Sequence, residues 1–148
     1  LYDLAERHRW NALGTGLDER LDGVIARAQR EEAYHRRHAA ALVSRLYGHE
    51  GDAHDRLDAA IRSLLPLADA LWEPVAGEHD AHGAGLATVA SGQLGARWRV
   101  EVETLVGSVT WEGLDRPAQD ARRSRTQHFA PLFDRLTEVF RIDPTAAW

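Results

Sequence analysis

Residues 15–48 read TGLDERLDGVIARAQREEAYHRRHAAALVSRLYG. Within them Leu21, Ile25, Ala28, Glu32, His35, Ala39, Leu42 and Leu46 recur at alternating spacings of four and three. That is the seam of one long helix packed lengthwise against partners. Two members break the apolar rule. Glu32 and His35 stand one turn apart on the side expected to be dry. An ionised carboxylate buried alone costs far more than the stripe around it supplies. The pair therefore requires a partner: each other, another side chain, a trapped water or a metal.

The flanking segments carry the same period. Leu1, Leu4, Ala5, His8 and Ala12 share a face, so residues 1–13 read as a helix closed by Gly14 and Gly16. Thr15 with Asp18 three residues on resembles a capping box for the long helix, which stops at Tyr47 and Gly48. A third helix opens at Asp52 or His54 and carries Leu57, Ile61, Leu64, Leu65, Ala68, Leu71 and Trp72. Pro66 removes one of its backbone hydrogen bonds, at a cost of about 3 kcal/mol. The apolar pattern continues beyond it, which predicts a kink rather than a break, with Pro74 ending the element. Residues 73–91 read as a long connection with a short helical turn near Leu86 to Ala90. A fourth helix starts near Ser91, with Leu94, Trp98, Val102, Leu105 and Val109 as its stripe. Valine and threonine leave a strand open for Trp98 to Val106, but the arginine and glutamate spacing favours helix. After a loop over residues 111–124, a last helix carries Phe129, Leu132, Phe133, Leu136 and Phe140, with Pro131 near its first turn. The class is all-α, in one domain spanning residues 1–148.

Composition closes several routes. The 148 residues carry a formal charge of −5, which suggests neither a nucleic-acid nor a membrane surface. No signal peptide or membrane span is legible. Cysteine is absent, excluding disulfides, thiolate nucleophiles and cysteine-held metals. Lysine is absent too, excluding Schiff-base chemistry and a P-loop lysine. There is no methionine, and Leu1 already lies inside an apolar pattern. The chain is therefore expected to be the later part of a longer one.

Glu-x-x-His on the inner face of a helical bundle is half of the ferritin-like di-iron signature. Glu32 and His35 are thus either metal ligands, whole or remnant, or a hydrogen-bonded pair that sets helix register. A complete site needs a second such motif and two further glutamates. No second motif occurs: Arg125 precedes His128 by three, Glu101 is followed by Thr104 and Glu112 by Asp115. His8, on an apolar face, is placed to reach Glu32 or His35. His79 and His82, with Glu78 and Asp80, form either a surface metal trap or a solvated loop. Gly83-Ala84-Gly85 lacks the strand and third glycine of a phosphate loop. Arg122, Arg123 and Arg125 are either an anion site, such as one for a coenzyme A phosphate, or a solvated run. Trp72, Trp98 and the three phenylalanines read as core or interface.

Residues 30–38 (REEAYHRRH), Leu64-Leu65-Pro66 through Leu71-Trp72-Glu73-Pro74, Arg125-Thr126-Gln127-His128-Phe129 with Pro131, and the closing Pro144-Thr145-Ala146-Ala147-Trp148 resemble the C subunit of bacterial phenylacetyl-CoA epoxidase. That enzyme is the ring-1,2-phenylacetyl-CoA monooxygenase of aerobic phenylacetate breakdown. The motifs follow the family's order along the whole chain, and its first helices have no counterpart here. Two positions depart from the pattern: Gln127 stands where a glutamate is usual, and the family's helix glutamate aligns more often with Glu31 than with Glu32.

The resemblance implies a ferritin-like bundle, cytoplasmic, in a hetero-oligomer with a homologous catalytic subunit. That partner would carry the di-iron centre and bind phenylacetyl-CoA. This chain would be a structural scaffold with no cofactor and no catalytic residue of its own, Glu32 and His35 being a metal-site remnant. The alternative is a di-metal carboxylate oxygenase or ferritin-like metal binder in its own right.

Overall fold

The computed structural model describes residues 1–16, 18–117 and 125–145. Among them the elements are α1 (Tyr2–Asn11), α2 (Glu19–Tyr47), α3 (Asp52–Asp69), a 3₁₀ turn (Ala70–Trp72), α4 (Glu78–Gly83), α5 (Ser91–Val106) and α6 (Phe129–Ile142). The chain is all-α, an architecture consistent with a ferritin-like bundle. Its one strand-like feature among the described residues is an isolated bridge between Leu13 and Ala87. None of these helices is long and apolar enough to cross a membrane.

Local signals set most boundaries. Asp18 itself, not Thr15, caps α2: its carboxylate accepts the Arg20 N–H at 2.8 Å and the Leu21 N–H at 3.4 Å. At the other end Gly48 closes against the Ser44 carbonyl. α3 runs through Pro66 to Asp69 without breaking, then tightens into the 3₁₀ turn before Pro74. α5 is helical throughout, which settles the strand alternative. It is capped from a distance, because Glu78 accepts both the Ser91 N–H and its hydroxyl.

The connection before α5 differs from the sequence expectation. Its helical piece is α4, not Leu86 to Ala90. Gly77, at φ 83°, launches α4. Residues 86–88 are instead tied to the residues after α1 around the Leu13–Ala87 bridge: Gly14 N–H donates to the Leu86 carbonyl at 3.0 Å, and Thr88 N–H to the Ala12 carbonyl at 2.7 Å.

The core lies where α1, α3 and α5 meet. Leu4, Ala5, Leu65, Leu94, Trp98 and Val102 are buried there with Trp72. Trp98 is fully buried, its indole N–H donating to the Leu1 carbonyl at 3.1 Å. Trp72 and Trp111 flank it, with ring centres 5.9 and 5.5 Å away. The Trp72 ring is seated on Gly95. A Cβ there would come within 2.8 Å of Trp72 Cγ and 2.9 Å of its Cβ. Gly95→Ala is therefore expected to destabilise. The overpacking costs about 1–3 kcal/mol, and the better helix propensity of alanine returns up to about 1. A lowered urea midpoint at unchanged m-value checks it.

One expectation about burial is not met, and the reading of the phenylalanines as core or interface loses its first half. The α2 seam is closed only in part: Ile25 is buried, but His35 and Leu42 are exposed. The phenylalanines of α6 are not core. That helix buries none of its residues, and its apolar stripe, Leu136 included, is open. Arg122 and Arg123 lie outside the described residues; Arg125 sits over the Phe129 ring at 5.2 Å.

Candidate functional site

The sequence singled out Glu32 and His35, and α2 does bring them together: His35 Nδ1 lies 3.4 Å from Glu32 Oε1. They do not share one environment. The Glu32 side chain is 15% exposed and that of His35 53%. Helix geometry explains the difference. Three residues at 3.6 per turn fall about 60° short of a full turn, so His35 stands over the shoulder of the seam. The expectation that both groups point inward is corrected: only the acid does. Its Oε2 is buried with no hydrogen-bond partner among the described residues.

His8 does not meet either of them. Its Nε2 lies 3.4 Å from Glu101 Oε1, and its ring stands edge-on to Trp72 at 6.5 Å. Arg7, the preceding residue on α1, donates to both carboxylate oxygens of the same Glu101. One α5 carboxylate is thus held by a guanidinium and faced by an imidazole, both from α1. Burial pushes the His8 pKa down, and the positive charges of Arg7 and Arg97 add to that; Glu101 opposes it without winning. The imidazole is therefore neutral at neutral pH.

The linkage has a definite sign. The unfolded chain takes up a proton near 6.5, while folded His8 resists it to lower pH. Stability is complete above 6.5 and falls as pH drops from there toward the folded value. His8→Gln removes the titration. Its unfolding midpoint is expected to fall less than the wild type's when pH is lowered through 6.5.

The donor set can be tested against a metal. Among the described residues, no group of three or more histidine, aspartate and glutamate side chains converges on one point. Glu32 and His35 supply two donors, too few to fill a coordination sphere. Glu101, a part-buried carboxylate 3.4 Å from His8, is already paired with Arg7. These residues do not fit a di-metal centre. No reading of local sequence could pair Arg7 with Glu101, because 94 positions separate them. The one hint was two polar residues, Arg7 and His8, beside an apolar face.

A family model described as "Phenylacetic acid catabolic protein" matches residues 1–148. No curated protein matches the chain.

Proposed function

The chain belongs to the phenylacetic acid catabolic protein family, and from that premise we propose that it is the C-type, non-catalytic subunit of a phenylacetyl-CoA monooxygenase. In this reading it forms a hetero-oligomer with a homologous subunit that holds the di-iron centre and the thioester substrate. Its task is to support that subunit. One observation carries the reading: the part-buried Glu101 carboxylate, between α1 and α5 beside a neutral His8, is bound by Arg7. A fixed guanidinium supplies the positive charge that a carboxylate in a working centre takes from its metal. The cluster therefore ties α1 to α5 and engages the Glu101 carboxylate beside His8.

Surface character supports the same role. A groove of about 470 Å³ beside α3 is walled by Leu57, Leu64, Leu67, Leu105 and Val106. Leu64 and Leu67 are each about half exposed, as is much of the α6 stripe. Apolar surface on this scale suits burial against another protein.

A second reading keeps Glu32 and His35 as metal ligands. The buried, unpartnered Glu32 Oε2 favours it, because such an atom lacks the hydrogen bond that burial requires. Two measurements separate the readings. Co-expression with the catalytic partner is expected to give one co-eluting complex, with the partner's turnover dependent on this chain. Metal analysis of this chain alone is expected to find no stoichiometric iron. Two irons per chain, lost in Glu32→Ala, would establish the second reading instead. A chain that elutes apart from the partner and leaves its turnover unchanged would defeat the first.

A further inference from the structure

α2 has two unlike sides. Its packed side, with Ile25, Gln29, Val43 and Tyr47, meets α1, α3 and α5. The opposite side carries a second seam: Arg27, Arg30, Tyr34, Arg37, Ala41 and Arg45 recur at spacings of three and four. That spacing sets them in one row about 27 Å long, at roughly 1.5 Å per residue. All six are exposed, Tyr34 by 68%. This period is what one helix shows to another lying along it, but the members here are basic instead of apolar.

The acids of α2 do not cancel the row. Glu31 accepts from Arg27 Nε at 2.8 Å, and Arg30 feels it only at a distance. Glu32 is turned to the packed side, and Asp18, Glu19 and Asp22 all precede the row by more than a turn. From Ala33 to Tyr47 the helix contains no carboxylate. Arg37 and Arg45 pair with none among the described residues. Four arginines against Glu31 leave an excess of three positive charges (4 − 1) on a chain whose formal charge is −5. The row is thus a local reversal of the chain's charge, with an exposed tyrosine at its centre. Arginine and tyrosine are the residues in which binding energy concentrates at protein interfaces.

We propose that the Arg27–Arg45 row of α2 docks an acidic helix of another protein, one whose carboxylates recur at the same period. Charge complementarity selects the occupant. The guanidinium forks match carboxylates in two-point geometry, and Tyr34 supplies contact area between Arg30 and Arg37. Ala41, being small, lets the partner's backbone come close. The same face of a second copy does not fit, because it would set arginine against arginine. A lipid surface takes helices that sink an apolar side into it, and this row offers only Tyr34 and Ala41. Nucleic acid is repelled by the chain's negative charge as a whole. The row uses neither Glu101 nor the groove beside α3, so it stands apart from the scaffold reading.

The test mixes the whole chain with a fluorescein-labelled helical peptide of about four heptads, its glutamates in one row at this period, and reads anisotropy. The comparisons are an isomer with the glutamates spread around the helix, duplex DNA and phosphatidylserine vesicles. The row peptide is expected to bind at least about tenfold more tightly than any of the three, and more weakly as salt rises. Arg30→Gln with Arg37→Gln is expected to weaken it at least about tenfold, and Tyr34→Ala about fivefold at unchanged charge. These side chains are exposed, so the variants should keep the wild-type thermal midpoint. If the double variant does not fold, Arg37→Lys serves: it keeps the charge, loses the fork, and should also bind more weakly. A row peptide that does not bind, an isomer that binds equally, DNA or vesicles that bind as tightly, or arginine variants that bind as the wild type does would each overturn the proposal.

Discussion

Trp98→Ala is expected to destabilise the chain by about 3–5 kcal/mol, the range for truncating a buried tryptophan. Trp98 has no exposed surface and sits between Trp72 and Trp111, so its removal opens the centre of the core. Its indole also donates to the Leu1 carbonyl, and alanine leaves that acceptor without its protein partner. The same ring ties α5 to the start of α1, the 3₁₀ turn and the loop after α5. A total stability of roughly 5–15 kcal/mol is usual for a domain, so the loss is a large share. Urea unfolding by far-UV circular dichroism checks it. A drop below about 1 kcal/mol would show that the neighbours collapse into the space.

Asp69→Ala is expected to cost about 3 kcal/mol, toward the low end of the range for breaking a buried ion pair. The carboxylate is buried, whereas Arg99 and Arg116 are 37% and 41% exposed and recover some hydration once released. Loss of the acid sets two like charges side by side and unties the end of α3 from α5 and its following loop. Added salt is expected to restore part of the stability by screening that repulsion. Asp69→Ala together with Arg116→Gln should be less damaging than the sum of the two single changes, because the residues share one network. Simple additivity would mean that Arg116 contributes nothing through Asp69.

These two sites were unequally visible in the sequence. Trp98 was legible as core, because Leu94, Trp98 and Val102 recur at helical spacing and all three are buried. Asp69 was not singled out at all. An aspartate at the end of an apolar helix looks like ordinary punctuation, and its arginines lie 30 and 47 positions away (99 − 69 and 116 − 69). The candidate site divides in the same way. Glu32 and His35 were found together because one turn of one helix joins them, although their unequal burial was missed. Arg7 and Glu101 were not found, since no local pattern links α1 to α5. His8 was noticed, but its partner was expected on α2.

By itself the sequence determined that this chain is helical, and nearly where each helix but the short α4 begins and ends. Those outcomes depend on caps such as Asp18, stops such as Gly48 and Pro74, and apolar spacing, all of which act over a few residues. Periodicity tells a helix which side to bury but not what to bury it against. Tertiary structure alone decided that Ala12 and Gly14 tie down residues 86–88, that α6 keeps its apolar side open, and that Arg7 rather than another ligand holds Glu101. Such choices are made by groups brought together only after the helices pack, when each buried charge must find its partner in space.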